Sequence, residues 1–218
     1  KKRFVFFSIL CLSLALVSCK GPAATETSIA STETTTLTSI FLEDGLGRTI
    51  TLENTAQRII SLSPSNTELL FAVGAGDQVI GRDSFSDYPP QATALADVGG
   101  GYAEYNLEKI VELEPDLVLA AEINTPALVQ SIEDLGIPVF YISNPLNFDD
   151  LYQSIETVGK LTGHTDNAKT LIATMQARVN AVTSAIAKTN TLPLVFYELD
   201  ATDPTKPYTP GPNTFYST

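Results

Sequence analysis

The chain has 218 residues, a formal net charge of −12 and only two cysteines. This acidic balance argues against a nucleic-acid-binding protein, because nucleic acids select basic surfaces. Both cysteines, Cys11 and Cys19, lie among the first nineteen residues, so the rest of the chain has no disulfide, thiolate metal site or cysteine nucleophile.

The chain begins with a segment typical of a secretory signal. Residues 1–3 are Lys-Lys-Arg, residues 4–17 form an apolar run, and residues 16–19 read Leu-Val-Ser-Cys. A basic start, a short apolar stretch and a small-residue exit are the parts of such a signal. The apolar run is shorter than the ~20 residues of a bilayer-spanning helix, which disfavours a permanent transmembrane anchor. We therefore assign residues 1–19 to a signal peptide.

Residues 16–19 also resemble the lipobox of bacterial lipoproteins, in which the cysteine is acylated and becomes the new N-terminus. The resemblance predicts lipidation at Cys19, with an ordinary signal peptide as the alternative. Residues 20–39 are rich in Thr, Ser, Ala and Glu without apolar periodicity, which predicts a disordered tether. The expected location is the cell envelope outside the cytoplasm, either periplasmic or on the outer face of the cell membrane, with lipid anchoring.

Beyond the tether, the apolar pattern alternates between the periods of strands and helices. Residues 40–52 predict a β-hairpin around Asp-Gly-Leu-Gly. Ser65 is predicted to cap the first helix, with Glu68 completing a capping box. The further predicted elements are strands at 58–62, 78–81, 116–121 and 138–142, helices at 65–73, 107–113, 125–136 and 149–161, and a loop at 84–105. This alternation predicts a parallel sheet flanked by helices, so residues 40–163 are assigned to a Rossmann-like α/β lobe.

A longer helical pattern follows this lobe. Residues 165–188 keep helical spacing over a length that corresponds to roughly 35 Å at 1.5 Å per residue. Residues 192–199 (Leu-Pro-Leu-Val-Phe-Tyr-Glu-Leu) then predict a new strand, which a proline-rich loop follows. We assign residues 164–189 to a long connecting helix and residues 190–218 to the start of a second α/β lobe.

Three blocks of sequence together resemble the cobalamin and iron-siderophore class of solute-binding proteins of ABC importers. They are Arg58-Ile-Ile-Ser-Leu-Ser-Pro-Ser-Asn-Thr-Glu, Asp83-Ser-Phe-Ser-Asp-Tyr-Pro-Pro and Asn106-Leu-Glu-Lys-Ile-Val-Glu-Leu-Glu-Pro-Asp. The resemblance extends over residues 40–215. It implies two α/β lobes joined by one rigid helix, with the ligand held between them. It also implies a complete second lobe, so we expect this sequence to be truncated at its C-terminal side.

Several residues are candidates for ligand contact. Ligands of parallel α/β sheets bind beyond the carboxyl ends of the strands, and the N-terminus of a helix presents free amides there. That rule selects Pro64, Ser65 and Asn66, whose alternative role is that of a plain helix cap. The resemblance adds an aromatic residue at Phe85 and another at Tyr102, and Tyr88 is more consistent with packing. Glu122, at the end of a predicted strand, is a further candidate, and the resemblance adds Asp200 and Tyr208.

A separate role is implied for Glu108. In the family that this sequence resembles, a surface glutamate at this place pairs with arginines of the membrane permease. The alternative is an ordinary solvated charge on a helix. The expected partners are therefore an ABC permease, a cobalamin or ferric siderophore ligand, and the membrane through the N-terminal lipid, with no nucleic acid.

Other functional classes fit the sequence less well. A serine hydrolase is disfavoured because Ser63 and Ser65 lie in no Gly-x-Ser-x-Gly motif and the only histidine is His164. One histidine and no thiol also disfavour a zinc receptor. A surface adhesion lipoprotein would not require a βα lobe.

We predict no enzymatic activity, catalytic residue, metal site or cofactor. The first predicted ligand is cobalamin or a related corrinoid, the second is a ferric siderophore and the third is heme. An anionic siderophore would be favoured by several basic residues, and the loops of the first lobe offer only Arg82.

Overall fold

A parallel sheet forms the centre of the protein in a computed structural model, which describes residues 39–102, 104–186, 194–212 and 214–217. The sheet has five strands in the order β5-β4-β3-β6-β7, and every neighbouring pair is parallel. The strands are β3 (Ile59–Ser61), β4 (Val79–Arg82), β5 (Ala96–Asp97), β6 (Leu117–Ala121) and β7 (Val139–Ile142). All residues of β3, β6 and β7 are buried, as expected for strands covered on both faces. The predicted α/β fold is confirmed.

Helices cover both faces of this sheet. They are α1 (Pro64–Ala72), α2 (Leu107–Glu112), α3 (Pro126–Glu133), α4 (Phe148–Thr162) and α5 (Thr165–Ile186). One core cluster contains buried residues of α1, α4 and α5, and the other contains buried residues of α2 and α3. This three-layer arrangement follows from right-handed crossovers between parallel strands. None of the helices in the described ranges combines the length and hydropathy needed to cross a bilayer.

The predicted hairpin is confirmed as β1 (Ile40–Glu43) and β2 (Thr49–Leu52), which form a separate two-stranded sheet. It is attached to the lobe through Arg48, whose guanidinium contacts Asp44 within the hairpin and Glu133 on α3. The same guanidinium donates to the carbonyl of Val139 on β7. A buried aspartate and an arginine that reaches two elements thus hold the hairpin on the lobe.

Two predicted local features differ from the structure. The predicted loop 84–105 contains a 3₁₀ turn at Pro90–Ala94 and the edge strand β5, which is too short to carry an alternating pattern. The predicted cap at Ser65 is wrong, because Ser63 has extended backbone angles and its Oγ accepts from the backbone N–H of Asn66. Pro64 therefore occupies the first helical turn, where its missing N–H has no consequence.

The predicted long helix is confirmed as α5, with residues 187 and 188 of the prediction outside the described residues. It follows α4 after Gly163, whose φ of 80° ends α4 in the left-handed conformation. The first half of α5 packs on the core through Ala168, Leu171 and Met175. Val182 and Ile186 in its second half are exposed. A role for α5 as a connector between two lobes stays a prediction.

The strand predicted at 192–199 is wrong over its described part. Residues 194–198 have no strand pairing, and the side chains of Leu194, Val195 and Phe196 are exposed. A β-strand requires a neighbour to accept its ladder hydrogen bonds, and no strand of the described residues lies beside this segment. The only pairing in residues 194–212 is an antiparallel bridge between Asp200 and Tyr208.

Candidate functional site

The loops that follow strands β3 to β7 lie at the same edge of the sheet, because the strands are parallel. This edge holds six of the predicted ligand residues. They are Pro64, Ser65, Asn66, Phe85, Tyr102 and Glu122. The structure brings them to one side of the lobe; whether they bind a ligand stays a prediction.

The N-terminus of α1 presents residues of very different exposure. Ser65 is exposed, and its Oγ lies 3.2 Å from Oγ of Ser63. Asn66 is only 1% exposed, and its Nδ2 donates to the carbonyl of Ala120 at the end of β6. Its Oδ1 has no hydrogen-bond partner in the structure. Asn66 thereby joins α1 to β6 and retains one unused acceptor beside the site.

A cavity of about 520 Å³ opens beside this helix. Its walls are mainly apolar side chains of α1, α4 and α5, and a few polar groups lie at the sheet edge. Its lining includes Ser65, Asn66, Glu68, Leu69, Tyr88, Ile142, Asn144, Leu151, Ile155, Leu171 and Met175. Size and composition are those of sites for small organic ligands, which are mostly apolar with a few convergent polar groups. Tyr88, expected to serve packing, is exposed and lines this cavity.

Phe85 and Tyr102 form an exposed aromatic pair next to this edge. Their ring centroids are 5.2 Å apart in an edge-to-face arrangement, which aromatic rings prefer. Phe85 is 43% exposed and Tyr102 is fully exposed. Gly101, with φ of 70°, allows this contact, because a Cβ at that position would lie 2.6 Å from the Phe85 ring. The pair forms an apolar surface that is open to a ligand.

A hydrogen-bond network of Tyr105, Leu62 and Asn124 connects three of the loops at this edge. The hydroxyl of Tyr105 donates to the carbonyl of Leu62, and Nδ2 of Asn124 donates to both of those oxygens. Burial raises the pKa of the Tyr105 hydroxyl above its ordinary value of 10.0, so it keeps its donor proton at neutral pH. Tyr105, the last residue of the predicted loop 84–105, therefore has a structural role.

Glu122 forms a clasp with the loop after β7. One carboxylate oxygen accepts from the backbone N–H of Asn144 at 3.2 Å, and the other accepts from its Nδ2 at 3.0 Å. Sequence reasoning missed Asn144 and Pro145, which line both this region and the cavity beside α1. The carboxyl-end rule, applied to β7 as it was to β3, would have identified them.

A second cavity, of about 660 Å³, lies between this clasp and the last two described segments, 194–212 and 214–217. Residues of these segments that line it include Leu199, Thr209, Pro210 and Tyr216. The predicted residues Asp200 and Tyr208 pair with each other through their backbones, and Asp200 accepts from the N–H and hydroxyl of Thr202. The hydroxyl and N–H of Thr202 lower the pKa of Asp200. Both residues are exposed, and neither belongs to the described lining of this cavity.

Both cavities lack a cationic wall. Their charged lining residues are Glu68 and Glu122, and no lysine or arginine of the described residues lines either one. The Arg82 guanidinium is engaged by the carbonyls of Ala92 and Asp83 and by the carboxylate of Asp97. No cluster of three or more metal-ligating side chains occurs in the described ranges. These surfaces therefore present hydrogen-bonding groups and negative charge.

Two further predicted functional residues are Glu108 and Cys19, and Glu108 does not line either cavity. Glu108 is exposed in the first turn of α2, which Asn106 caps by accepting from the N–H of Lys109. Cys19 lies outside the described residues. Both roles stay predictions.

Comparison with known proteins identifies the family. Residues 59–217 match the family model described as periplasmic binding protein. The chain belongs to this family. The resemblance predicted from the three sequence blocks is confirmed, and so is the fold that this family shares.

Two relatives illustrate the range of the family. A Bacillus subtilis protein named an uncharacterized ABC transporter substrate-binding lipoprotein, YvrC, is 31% identical over 81% of this chain and 56% of its own length. A protein of Halobacterium salinarum named as cobalamin-binding is 34% identical over 79% of this chain and 46% of its own length. The chain thus spans about half the length of these relatives.

Solved structures of the family resemble the lobe. The periplasmic vitamin B12 binding protein BtuF of Vibrio cholerae has a TM-score of 0.55 and 30% identity, covering 61% of this chain and 52% of its own. The periplasmic heme-binding protein RhuT of Roseiflexus has a TM-score of 0.55 and 29% identity, covering 63% of this chain and 53% of its own. Members with different ligands are therefore similar to this chain to the same degree.

Proposed function

We propose that this chain belongs to a lipid-anchored substrate-binding protein of an ABC importer, and that its ligand is cobalamin or a related corrinoid. The protein captures the ligand reversibly and presents it to a membrane permease, while a separate ATPase supplies the energy of transport. Support comes from the family and from the relatives named as substrate-binding and cobalamin-binding proteins.

The observation that favours a corrinoid is the chemistry of the cavity walls. A corrinoid carries neutral amide side chains, whereas heme carries propionate groups. The polar groups at the edge include Ser65, Asn66 and Asn144, whose hydroxyl and amide oxygens can accept hydrogen bonds from amides. Glu68 and Glu122 would repel carboxylates, and the engaged Arg82 does not compensate for them. Electrostatic complementarity of this kind decides specificity more than affinity.

Capture without catalysis also agrees with the polar groups of the edge. The hydroxyl of Ser63 caps α1. The Nδ1 atom of His164 lies 3.1 Å from the carbonyl oxygen of Thr162, at the junction of α4 and α5. Serine activation needs a histidine within hydrogen-bond distance of the hydroxyl, and these two residues have other contacts.

Equilibrium dialysis with cyanocobalamin tests the proposal. The soluble product of the complete gene, without residues 1–19, is expected to retain cyanocobalamin at a one-to-one ratio. Phe85→Ala is expected to weaken binding about tenfold, because a central aromatic contact contributes more than ~1 kcal/mol. Phe41→Ala is the matched control, since Phe41 is also an exposed phenylalanine but lies on the hairpin. Absence of retention would refute the corrinoid assignment.

A ferric siderophore or heme is the second candidate ligand. The heme-binding RhuT is similar to this chain at nearly the same identity as BtuF, which supports this alternative. Hemin and a ferric siderophore in the same dialysis distinguish the candidates. If the protein retains hemin or the siderophore but not cyanocobalamin, the retained compound is the ligand, and the protein is still a substrate-binding protein of the same family.

We further propose that Cys19 carries the lipid that anchors the protein in the envelope. The support is the sequence Leu-Val-Ser-Cys and the name of the lipoprotein relative YvrC. In a bacterial host fed labelled palmitate, Cys19→Ala is expected to abolish incorporation of the label. Cys11→Ala is the control, because Cys11 is the other cysteine of the chain, and it is expected to leave incorporation intact. Label retained in Cys19→Ala would contradict this assignment.

Glu108 is the proposed contact to the permease. Its exposure in the first turn of α2 leaves the carboxylate open to a basic partner. Glu108→Lys is expected to slow ligand uptake by cells without changing ligand affinity, because exposed charges govern the encounter of two proteins. Glu112→Lys, at the other end of the same helix, is the control. Equal uptake by the two variants would refute a docking role for Glu108.

A further inference from the structure

Four buried polar side chains form a continuous network behind Phe85. They are Ser61 on β3, Thr67 on α1, and Asp83 and Ser86 in the loop after β4, and none is more than 2% exposed. Buried polar groups lower stability unless each is hydrogen-bonded, and fully bonded networks rigidify their surroundings. We call these four residues the hydroxyl network.

Asp83 holds the backbone of the aromatic residue. Its Oδ1 accepts from the N–H of Phe85 at 2.9 Å, and its Oδ2 accepts from the hydroxyl of Ser86. No lysine or arginine of the described residues forms an ion pair with this carboxylate; the guanidinium of Arg82 contacts its backbone carbonyl instead. The carboxylate is therefore committed to the two residues that follow Ser84.

Thr67 connects this loop to the start of α1. Its Oγ1 lies 2.8 Å from Oγ of Ser86 and 2.8 Å from Oγ of Ser61. It also lies 3.2 Å from the carbonyl of Ser63, and Oγ of Ser61 donates to the same carbonyl. Ser63 caps α1, so the network ends at the turn that presents Pro64, Ser65 and Asn66.

We propose that the hydroxyl network positions Phe85 relative to the N-terminus of α1, so that both form one pre-arranged wall for the ligand. This inference rests on the proposed function, in which both loops contact the ligand. Thr67 acts through Phe85 and touches no ligand itself, since it is completely buried. Fixing a wall before binding removes the entropy loss that its ordering would otherwise add.

The substitution Thr67→Val separates positioning from folding. Valine has the shape of threonine, and the substitution leaves no donor unsatisfied. The hydroxyl of Ser86 still donates to Asp83, and that of Ser61 still donates to the carbonyl of Ser63. The substitution removes the contacts of the Thr67 hydroxyl with Ser86, with Ser61 and with the carbonyl of Ser63, and with them the connection between the two loops. Thr162→Val is the matched control, because Thr162 is equally buried and its hydroxyl donates to the carbonyl of Val158 within α4.

The experiment measures cyanocobalamin affinity in a double-mutant cycle on the complete gene product without residues 1–19. Thr67→Val is expected to weaken binding about threefold to tenfold, the loss expected for one aromatic side chain that must be ordered on binding. In a Phe85→Ala background the same substitution is expected to have no further effect. Thr162→Val is expected to leave affinity unchanged in both backgrounds. An effect of Thr67→Val that is the same with and without Phe85 would overturn the proposal.

A second measurement, of fluorescence anisotropy, tests the positioning role in the absence of ligand. Its outcome therefore does not depend on which ligand the protein binds. These 218 residues contain no tryptophan, so Phe85→Trp introduces a fluorescent reporter at the wall, and its signal is measured as the difference from the same gene product without this substitution. Adding Thr67→Val is expected to lower the fluorescence anisotropy of this tryptophan, whereas adding Thr162→Val is expected to leave it unchanged. Equal anisotropy in the two variants would overturn the positioning role even if cyanocobalamin binds. A lower anisotropy with no cyanocobalamin retention would support positioning and refute only the corrinoid.

Discussion

Two segments of nearly the same composition have opposite environments in this protein. Residues 139–142 read Val-Phe-Tyr-Ile and form β7, where each side chain is at most 7% exposed. Residues 194–197 read Leu-Val-Phe-Tyr and form no strand, and each side chain is at least 48% exposed. Local β-propensity is similar in the two segments, so propensity does not explain the difference.

The neighbours of the two segments explain the difference. β7 pairs in parallel with β6 along its whole length, and residues of α3 and α4 belong to the core clusters that cover its two faces. Residues 194–197 have a stacked contact between Tyr197 and Tyr216 but no strand beside them. A strand is therefore a property of the sheet that receives it, because its hydrogen bonds and its burial both come from neighbours.

The largest expected effect comes from truncating the same side chain in both segments. Phe140→Ala is expected to lower the free energy of unfolding by about 3–5 kcal/mol, because it opens a cavity in the core. Phe196→Ala is expected to change it by less than about 0.5 kcal/mol, as exposed substitutions do. Urea unfolding followed by circular dichroism measures both. Similar losses for the two variants would show that residues 194–197 are packed in solution.

A smaller effect is expected from substituting Asp44, which holds the hairpin next to β7 through its bonds with Arg48. Burial raises the pKa of Asp44, but the bonds it accepts from Arg48 and Leu46 outweigh burial, so the pKa lies below its ordinary value of 3.8. Asp44→Asn is expected to lower the free energy of unfolding at pH 7 by about 1–3 kcal/mol, because an amide NH2 cannot accept the bonds that Oδ2 accepts from the Arg48 guanidinium and the N–H of Tyr141.

The pH dependence of this difference follows from the lowered pKa. A carboxyl group with a lowered folded pKa stabilises the protein above pH 3.8 and loses that effect as the pH falls through the folded value. The stability gap between the native protein and Asp44→Asn should therefore close below pH 3.8. Asp166→Asn is the control, because the Asp166 side chain is almost fully exposed. A gap that persists in acid would contradict this assignment.

The smallest effect on stability is expected from Phe196→Asp, which should instead change the self-association of the protein. Leu194, Val195 and Phe196 form an exposed apolar patch, and such patches promote association. Residues 40–218 produced alone are expected to self-associate, and Phe196→Asp is expected to reduce the weight-average mass in sedimentation without lowering stability. Phe41→Asp serves as the control, since Phe41 is an exposed phenylalanine outside the patch. An unchanged weight-average mass in Phe196→Asp would show that this patch does not cause the association.

Sequence patterns located most elements of the lobe because the signals were local. Thr125 before Pro126 begins α3, and Gly163 ends α4, as the caps predicted. The pattern did not identify the cap of α1, because Ser63 and Ser65 both precede the apolar run. Only the extended backbone at Ser63 places a side-chain oxygen near the free N–H of Asn66. The edge strand β5 has two residues, too few for a period to be recognised.

The site was predictable only in part, for a similar reason. The carboxyl-end rule and the resemblance identified Asn66 and Phe85, which the structure places at the same edge. Asn144 and the hydroxyl network were not identified, because their importance depends on contacts with residues distant in the sequence. The carboxylate of Glu122 lies 22 positions from Asn144, and Thr67 lies 19 positions from Ser86.

The amino-acid sequence by itself determined the alternation of strands and helices, the long α5 pattern, and the family to which the chain belongs. Those properties are encoded in residues close along the chain, through apolar period, caps and short motifs. Only the tertiary structure decided which apolar segment became a strand, which serine capped α1, and which side chains formed the cavities. Burial and hydrogen bonding between distant residues decide such outcomes, because the free energy of each contact depends on the neighbours that folding brings to it.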